Sequence, residues 1–372
     1  MTTSVAHVDL DGGDQLLNGV VNSTWLLAAA QAALGFEVTV FVHVPLTDPV
    51  RDHARAAGVS LVRSSRSLTR GSAGWVDDAL GYDLVHFHSA FIPAHSRVSR
   101  RLDRLGKPYV VTPHGGLTRA SLGRHAGRKK AYLLLAERRH VGRAGLVVAV
   151  GDDEAGELRD RFPSARVERW YNPIDVDATS AGSWAGGASG PIVSIGRFDI
   201  HQKGLDRLAR MARLVPDARF HVYGDGTPEQ RRAVEELFGD LPNVEVFGPV
   251  FGAEKTAVLV AASRLVLTSR WEGFPVVAAE ALHLGTPWLA TRASGLAPLQ
   301  GEGLGGLLPD DATAAAETLV TSLAGQDQAH VASAAGTAWA REHLDPQRIA
   351  AGLGESYRSL LDRRALPPVH GG

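Results

Sequence analysis

Short apolar runs alternate with longer amphipathic stretches along nearly the whole chain. Ser4–Leu10, Glu37–Val44, Leu84–His88, Tyr109–Thr112 and Leu146–Val150 read as strands, and Gly19–Leu34 reads as a helix closed by Gly35. Strands that are apolar throughout and separated by helices point to parallel sheets covered on both faces. The alternation breaks at Asp177–Gly190, DATSAGSWAGGASG, which is small, flexible and aperiodic and reads as a hinge. It restarts with Ile192–Ile195, Ala218–Val222, Val244–Phe247, Leu265–Thr268 and Trp288–Thr291, and Asp345–Arg364 reads as a last amphipathic helix. No tandem repeat of solenoid length interrupts the pattern. The expectation is an α/β chain of two domains, residues 1–178 and 190–345, with a closing helix at 346–366. Two such halves joined by a hinge place a ligand cleft between them, where the C-terminal ends of both sets of strands face it.

Composition narrows the picture. A chain of 372 residues exceeds the comfortable size of one core, so two domains are the default. The formal charge of −1 gives no reason to invoke nucleic acid as a partner. With Cys 0, disulfides, thiolate metal sites and cysteine catalysis are excluded. No window approaches the ~18 consecutive apolar residues of a membrane span. The start MTTSVAHVDL lacks a basic region followed by an apolar one, so no secretory signal is read and a cytoplasmic protein is expected.

The most informative stretch is TSRWEGFPVVAAEALHLGTPWLAT, Thr268–Thr291. A strand enters a short polar corner and leaves it as a helix opened by Pro275, a residue tolerated in the first turn because its missing N–H had no partner there. The helix is expected to start near Phe274, with Glu272 just before it and Glu280 on its second turn. At about 1.5 Å of rise per residue the carboxylates would lie roughly 9–12 Å apart, with free backbone N–H groups between them. Such an end attracts phosphate, and a carboxylate on each side accepts hydrogen bonds from hydroxyls. A ligand with hydroxyls at both ends and a diphosphate between them fits. A nucleotide sugar has that shape.

A second motif follows the hinge. PIVSIGRFDIHQKGLDRLARMARL is a strand, then Gly196, then Arg197 and Lys203 before a helix. The glycine lets the backbone approach a ligand, while an arginine fork and a lysine point charge suit phosphate oxygens. Together they would stabilise a departing diphosphate.

The residues Glu272, Gly273, Phe274, Pro275, Glu280, Ala281, Gly285, Thr286 and Pro287 resemble the donor-site signature of retaining glycosyltransferases of family 4. Gly196, Arg197, Lys203 and Gly204 are similar to the same family's diphosphate-gripping element. The resemblance implies the GT-B fold, two Rossmann-like domains facing each other across a cleft, with the closing helix crossing back onto the first. It implies that Arg197 and Lys203 hold the diphosphate, Glu272 the sugar hydroxyls and Glu280 the ribose. The backbone N–H groups of Gly273 and Phe274, ahead of Pro275, would position sugar and phosphate. No metal and no separate cofactor is expected, since the two cations and the helix end do the neutralising that Mg²⁺ does elsewhere. The implied chemistry is front-face displacement onto a hydroxyl acceptor (a glycan, a lipid-linked acceptor or a natural-product small molecule), the departing phosphate taking the acceptor proton.

The first half resembles the family more thinly. Its phosphate-contacting glycine is either Gly19, directly before the helix, or belongs with Gly12–Gly13 in a longer loop; counting back from the helix favours Gly19, with Asn18 where the family has a first glycine. TPHGGL, Thr112–Leu117, resembles a Thr-Pro-His-Gly element whose histidine lies near the reactive carbon, so His114 joins Arg197, Lys203 and Glu272 as a candidate catalytic side chain, facing either the donor sugar or the acceptor. YNPIDVD, with Asn172 and Asp175, reads as a structural closure. The basic stretch Ala120–Arg143 suits an anionic lipid surface, a solvated helix face or an anionic soluble acceptor. Thr268 and Ser263–Arg264 depart from the family pattern, as does SGLAPL at Ser294–Leu299, and none is expected at the reacting centre. A nucleotide-sugar 2-epimerase of the same fold and a non-catalytic sugar-nucleotide binding module are the alternatives. No predicted strand runs directly into a Gly-x-Gly-x-x-Gly turn, which disfavours an oxidoreductase.

Overall fold

The structure is a computed structural model that describes residues 2–10, 19–43, 48–64, 74–123, 127, 131–132, 136–175, 183–185, 187 and 189–365. Gly12–Gly13, Asn18, most of the expected hinge and part of the basic stretch Ala120–Arg143 lie outside them.

The chain divides into two compact units, Met1–Pro173 with Pro346–Gly372 and Ile174–Asp345. The first is built on β1 (Ser4–Asp9), β2 (Glu37–Val42), β3 (Ser60–Arg63), β4 (Leu84–His88), β5 (Tyr109–Thr112), β6 (Leu146–Ala149) and β7 (Val167–Arg169), in the order β3-β2-β1-β4-β5-β6-β7. The second holds β8 (Ile192–Ile195), β9 (Phe220–Tyr223), β10 (Val244–Phe247), β11 (Arg264–Leu267), β12 (Trp288–Thr291) and β13 (Gly306–Leu308), ordered β10-β9-β8-β11-β12-β13. Every pairing among the described strands is parallel. Both sheets reverse direction of winding once, between β1 and β4 and between β8 and β11, and a doubly wound sheet binds its ligand outside the strand ends at such a switch point.

Alternate residues of the first sheet enter separate cores. Ala6, Val8, Val85, Phe87 and Val111 face one layer of helices, while Val5, Leu84, Val110 and Val148 face the helices Gly19–Ala33 and Pro346–Ala365. The last helix earns its place through Ile349, Leu353, Tyr357 and Leu360, all at helical spacing and all buried in the first unit. Each such burial contributes about 1.5–3 kcal/mol.

Two boundaries differ from the sequence reading. The expected first domain ends at 178 and the second begins at 190, but the second unit starts at Ile174. Hydrogen bonds explain it: Ile174 N–H donates to Leu344 O, Trp184 N–H to Leu284 O and the Trp184 indole to Ala262 O. The glutamate-bearing helix spans Val276–Leu284 with Pro275 as its N-cap, not from near Phe274. Phe274 is instead a buried anchor, its ring centroid 6.5 Å from that of Trp339. Among the described residues no helix is long and apolar enough to cross a membrane.

Candidate active site

The switch point of the second sheet gathers the two motifs. β8 ends at Ile195 and hands over to Gly196, the exposed Arg197 and the buried Phe198. Asp199 then caps the single turn Ile200–Lys203, its carboxylate accepting from Gln202 N–H at 2.8 Å. Gly204 closes that turn at φ 63, and a Cβ there would stand 2.0 Å from Thr268 O, so the position needs glycine twice over. Thr268, at the end of β11, offers its hydroxyl to Lys203 O at 3.0 Å and Gly204 O at 2.9 Å. The departure from the family pattern at Thr268 therefore ties the lysine turn to the neighbouring strand end.

Lys203 is consequently held and not free on an open loop. Its side chain lies over Gly196, and Nζ donates to Glu272 Oε1 at 2.5 Å, with the Ser269 hydroxyl donating to the same oxygen at 2.9 Å. Both members of the pair are largely shielded, with side-chain exposures of 17% and 13%. Among the described residues the Arg197 side chain reaches only Gln202 Oε1, at 3.1 Å, which leaves it available to a ligand. Ser194, Gly196, Arg197, Lys203, Thr268 and Ser269 share the lining of one small cavity.

The corner is braced from outside. Arg270 grips Asp206 with two parallel hydrogen bonds of 2.7 Å each, and this guanidinium pulls the Asp206 carboxyl down to about 2. Glu272 N–H donates to Ala293 O, and Gly295, at φ 77, could not take a Cβ without meeting Gly273 O at 2.3 Å. The divergent loop Ser294–Leu299 thus packs directly on the Glu272–Gly273 backbone.

Glu280 sits on the helix Val276–Leu284, buried to 7% exposure. Lys255 Nζ donates to its Oε1 at 2.5 Å, while Oε2 has no partner among the described residues. Burial pushes the Glu280 carboxyl up and Lys255 works against that shift. Lys255, on the helix Gly252–Ala261, is a residue that spacing along the sequence gave no means of finding.

Gly19 and His114 belong to the first unit. Gly19 opens the helix Gly19–Ala33. His114 follows β5 at φ 50, one of three non-glycine residues with positive φ among the described residues, all just after β4 or β5 (Ser89 at 71 and Phe91 at 62 are the others). Clustered backbone strain of this kind is held in place by its surroundings. Here the buried Glu154 carboxylate accepts from Gly115 N–H at 2.6 Å and from Val150 N–H at 2.9 Å. Asn172, read as structural from the sequence, stands beside His114 and partly offsets the burial that pulls the imidazole down to about 4. His7, His86 and His88 form a buried group next to it that the sequence reading missed, with His88 Nδ1 and His114 Nε2 3.1 Å apart.

Comparison with known proteins meets this geometry from a separate direction. Residues 17–178 match the profile of Glycosyltransferase Family 4 and residues 190–324 that of Glycosyl transferases group 1. A D-inositol 3-phosphate glycosyltransferase of Mycobacteroides abscessus is 28% identical over 309 residues, 76% of this chain and 68% of that one. An uncharacterized glycosyltransferase of Methanocaldococcus jannaschii is 25% identical, and the chain spans only 62% of that relative's length. Among solved structures, sucrose-phosphate synthase from Thermosynechococcus elongatus superposes with a TM-score of 0.79 at 22% identity, covering 97% of this chain and 100% of its own. HepE from Anabaena, in complex with UDP and glucose, gives 0.75 at 17% identity over 96% of this chain and 100% of its own. The chain belongs to the group 1 glycosyltransferases of family 4 and has their two-domain Rossmann-like GT-B fold.

Proposed function

We propose that this protein is a retaining hexosyltransferase that moves a sugar from a nucleoside-diphosphate sugar to a hydroxyl acceptor without a divalent cation. The observation that carries the reading is the Lys203–Glu272 pair, which joins motifs 69 residues apart at one switch point, beside Arg197. In this reading Arg197 and Lys203 take the diphosphate, and their stabilisation grows as charge builds on the leaving group. Glu272, oriented by Lys203 and Ser269, accepts from hydroxyls of the sugar. Glu280 accepts from the ribose through its unpartnered Oε2. Gly196, Gly273, Phe274 and Pro275 shape the approach of sugar and phosphate, Gly19 assists at the phosphate, and His114 meets a hydroxyl of the donor or acceptor. The titles of the HepE complexes, which name UDP and UDP-glucose, support a nucleotide-sugar donor. The reaction breaks the bond from the anomeric carbon to phosphate and forms one from that carbon to the acceptor oxygen. The acceptor proton passes to the departing phosphate.

Incubation with a panel of nucleotide sugars tests the reading. Slow release of free nucleoside diphosphate from one of them, accelerated by hydroxyl acceptors, is expected. Conversion to an altered nucleotide sugar would mark an epimerase, and binding without turnover a binding module.

A further inference from the structure

β1 and β4 pair with His7 opposite His86, and His88 lies two residues on, so three imidazoles crowd one face of the first sheet. That face is covered by the helices Gly19–Ala33 and Pro346–Ala365. Gln31, on the first of these, has Oε1 2.7 Å from His7 Nε2. His7 Nδ1 is 2.9 Å from His88 Nε2, and His88 Nδ1 is 3.1 Å from His114 Nε2. Gln31, His7 and His88 are fully buried. Burial holds His7 and His114 at about 4 and His88 well below its usual value, so all three rings are neutral near pH 7.

A neutral imidazole has one N–H and one lone pair, so the sense of the whole chain is set at one end. The amide oxygen of Gln31 makes His7 Nε2 the donor. His7 Nδ1 then accepts from His88 Nε2–H, and His88 Nδ1 accepts from His114 Nε2–H. His114 Nδ1 is left with its lone pair; it has no hydrogen-bond partner of normal geometry among the described residues, and the Asn172 side chain stands beside the ring. We propose that Gln31, His7 and His88 are positioning residues that lock His114 in the Nε2–H tautomer, so that its Nδ1 accepts a hydrogen bond from a sugar hydroxyl. The purpose given to the lock rests on His114 belonging to the transfer site proposed above.

His7, His86 and His88 bring ligand nitrogens within 4.8 Å of one another, the spacing of a metal site. The hydrogen bonds argue against that use. His86 spends Nδ1 on the Tyr357 hydroxyl at 2.7 Å and Nε2 on Thr112 Oγ1 at 2.6 Å, and His7 shares its Nδ1 with His88. A bound cation would have to break each of these.

Nitrogen NMR of the full chain labelled with ¹⁵N-histidine reads the tautomers directly, His114 being assigned by the signals lost in His114→Asn. The expected result is a protonated Nε2 and a bare Nδ1 on His114 at pH 7. Gln31→Met, which removes the oxygen that sets the sense, should give mixed tautomers and lower turnover by about tenfold with donor KM little changed. Gln31→Glu, which keeps an acceptor oxygen, should restore both relative to Gln31→Met. A protonated Nδ1 in the wild type, an unchanged His114 signal in Gln31→Met, or stoichiometric zinc in the purified protein would overturn the lock. A locked tautomer alongside wild-type turnover in His114→Asn would instead remove His114 from the transfer site, and the lock's purpose with it.

Discussion

Lys203 Nζ lies 2.5 Å from Glu272 Oε1, so the cation assigned to phosphate and the carboxylate assigned to sugar are one hydrogen-bonded unit. Neither side chain is exposed enough for water to replace its partner. Lys203→Ala should therefore cost stability as well as chemistry. Removing one partner of a shielded pair strands the other, a loss of about 1–3 kcal/mol, and turnover should drop by roughly 10²-fold or more. Thermal unfolding and initial rates of the same preparation check both. A Glu272→Gln change made on top of Lys203→Ala should be less than additive, as expected for residues acting together.

Arg197 separates the two effects. It is exposed, and among the described residues its side chain hydrogen-bonds only Gln202, so Arg197→Ala should leave the melting temperature unchanged. Turnover should still fall by about 10²-fold, since the diphosphate loses half of its cationic clamp. Near-wild-type turnover at saturating donor would remove Arg197 from the site.

Activity should persist in excess EDTA, because in the proposed reading Arg197 and Lys203 neutralise the diphosphate. Complete loss, restored by Mg²⁺ or Mn²⁺, would mean that an ion neutralises the leaving group instead.

Stability should rise with pH across the mildly acid range. Burial lowers His7 and His114 to about 4, His140 to about 3, and His86 and His88 well below 6.5. These five take up protons on unfolding between about 4 and 6.5, so their contribution is complete above 6.5 and is lost as pH falls through that window. Burial raises Glu137 and Glu154 from 4.5 to about 7 and pushes Glu280 up as well, which acts in the opposite sense, stability being lost as pH rises above 4.5. Five groups outweigh three. Melting temperatures at pH 5 and pH 6.5 should rank in that order, and a higher value at pH 5 would contradict it.

Much of this molecule was legible from the pattern of apolar positions, and the exceptions have physical causes. Most strands read from the sequence are buried on both faces, such as β4 and β11, although β10, a half-exposed edge strand, was read as well. The three it missed, β3, β7 and β13, are edge strands with half-exposed residues, where apolar patterning weakens. At the site, motif residues close together in sequence were found, whereas partners across the sheet were not. Lys255 approaches Glu280 from another helix. His7 meets His88 only because β1 and β4 are neighbours at the switch point, a fact of topology that no local spacing carries.

Glu272 and Glu280 give the most direct test of the donor site, because they should fail in different ways. Glu280→Ala should weaken binding of free nucleoside diphosphate, measured by calorimetric titration, and a 2′-deoxy donor should lose most of its disadvantage in that variant. Glu272→Ala should leave nucleoside diphosphate affinity nearly intact and depress turnover, because its contact strengthens as the sugar gains positive charge. If Glu272→Ala abolishes nucleoside diphosphate binding while Glu280→Ala leaves it untouched, the roles are reversed. If neither change alters binding or turnover, the corner after β11 is only a braced helix start, and the account of this site is contradicted.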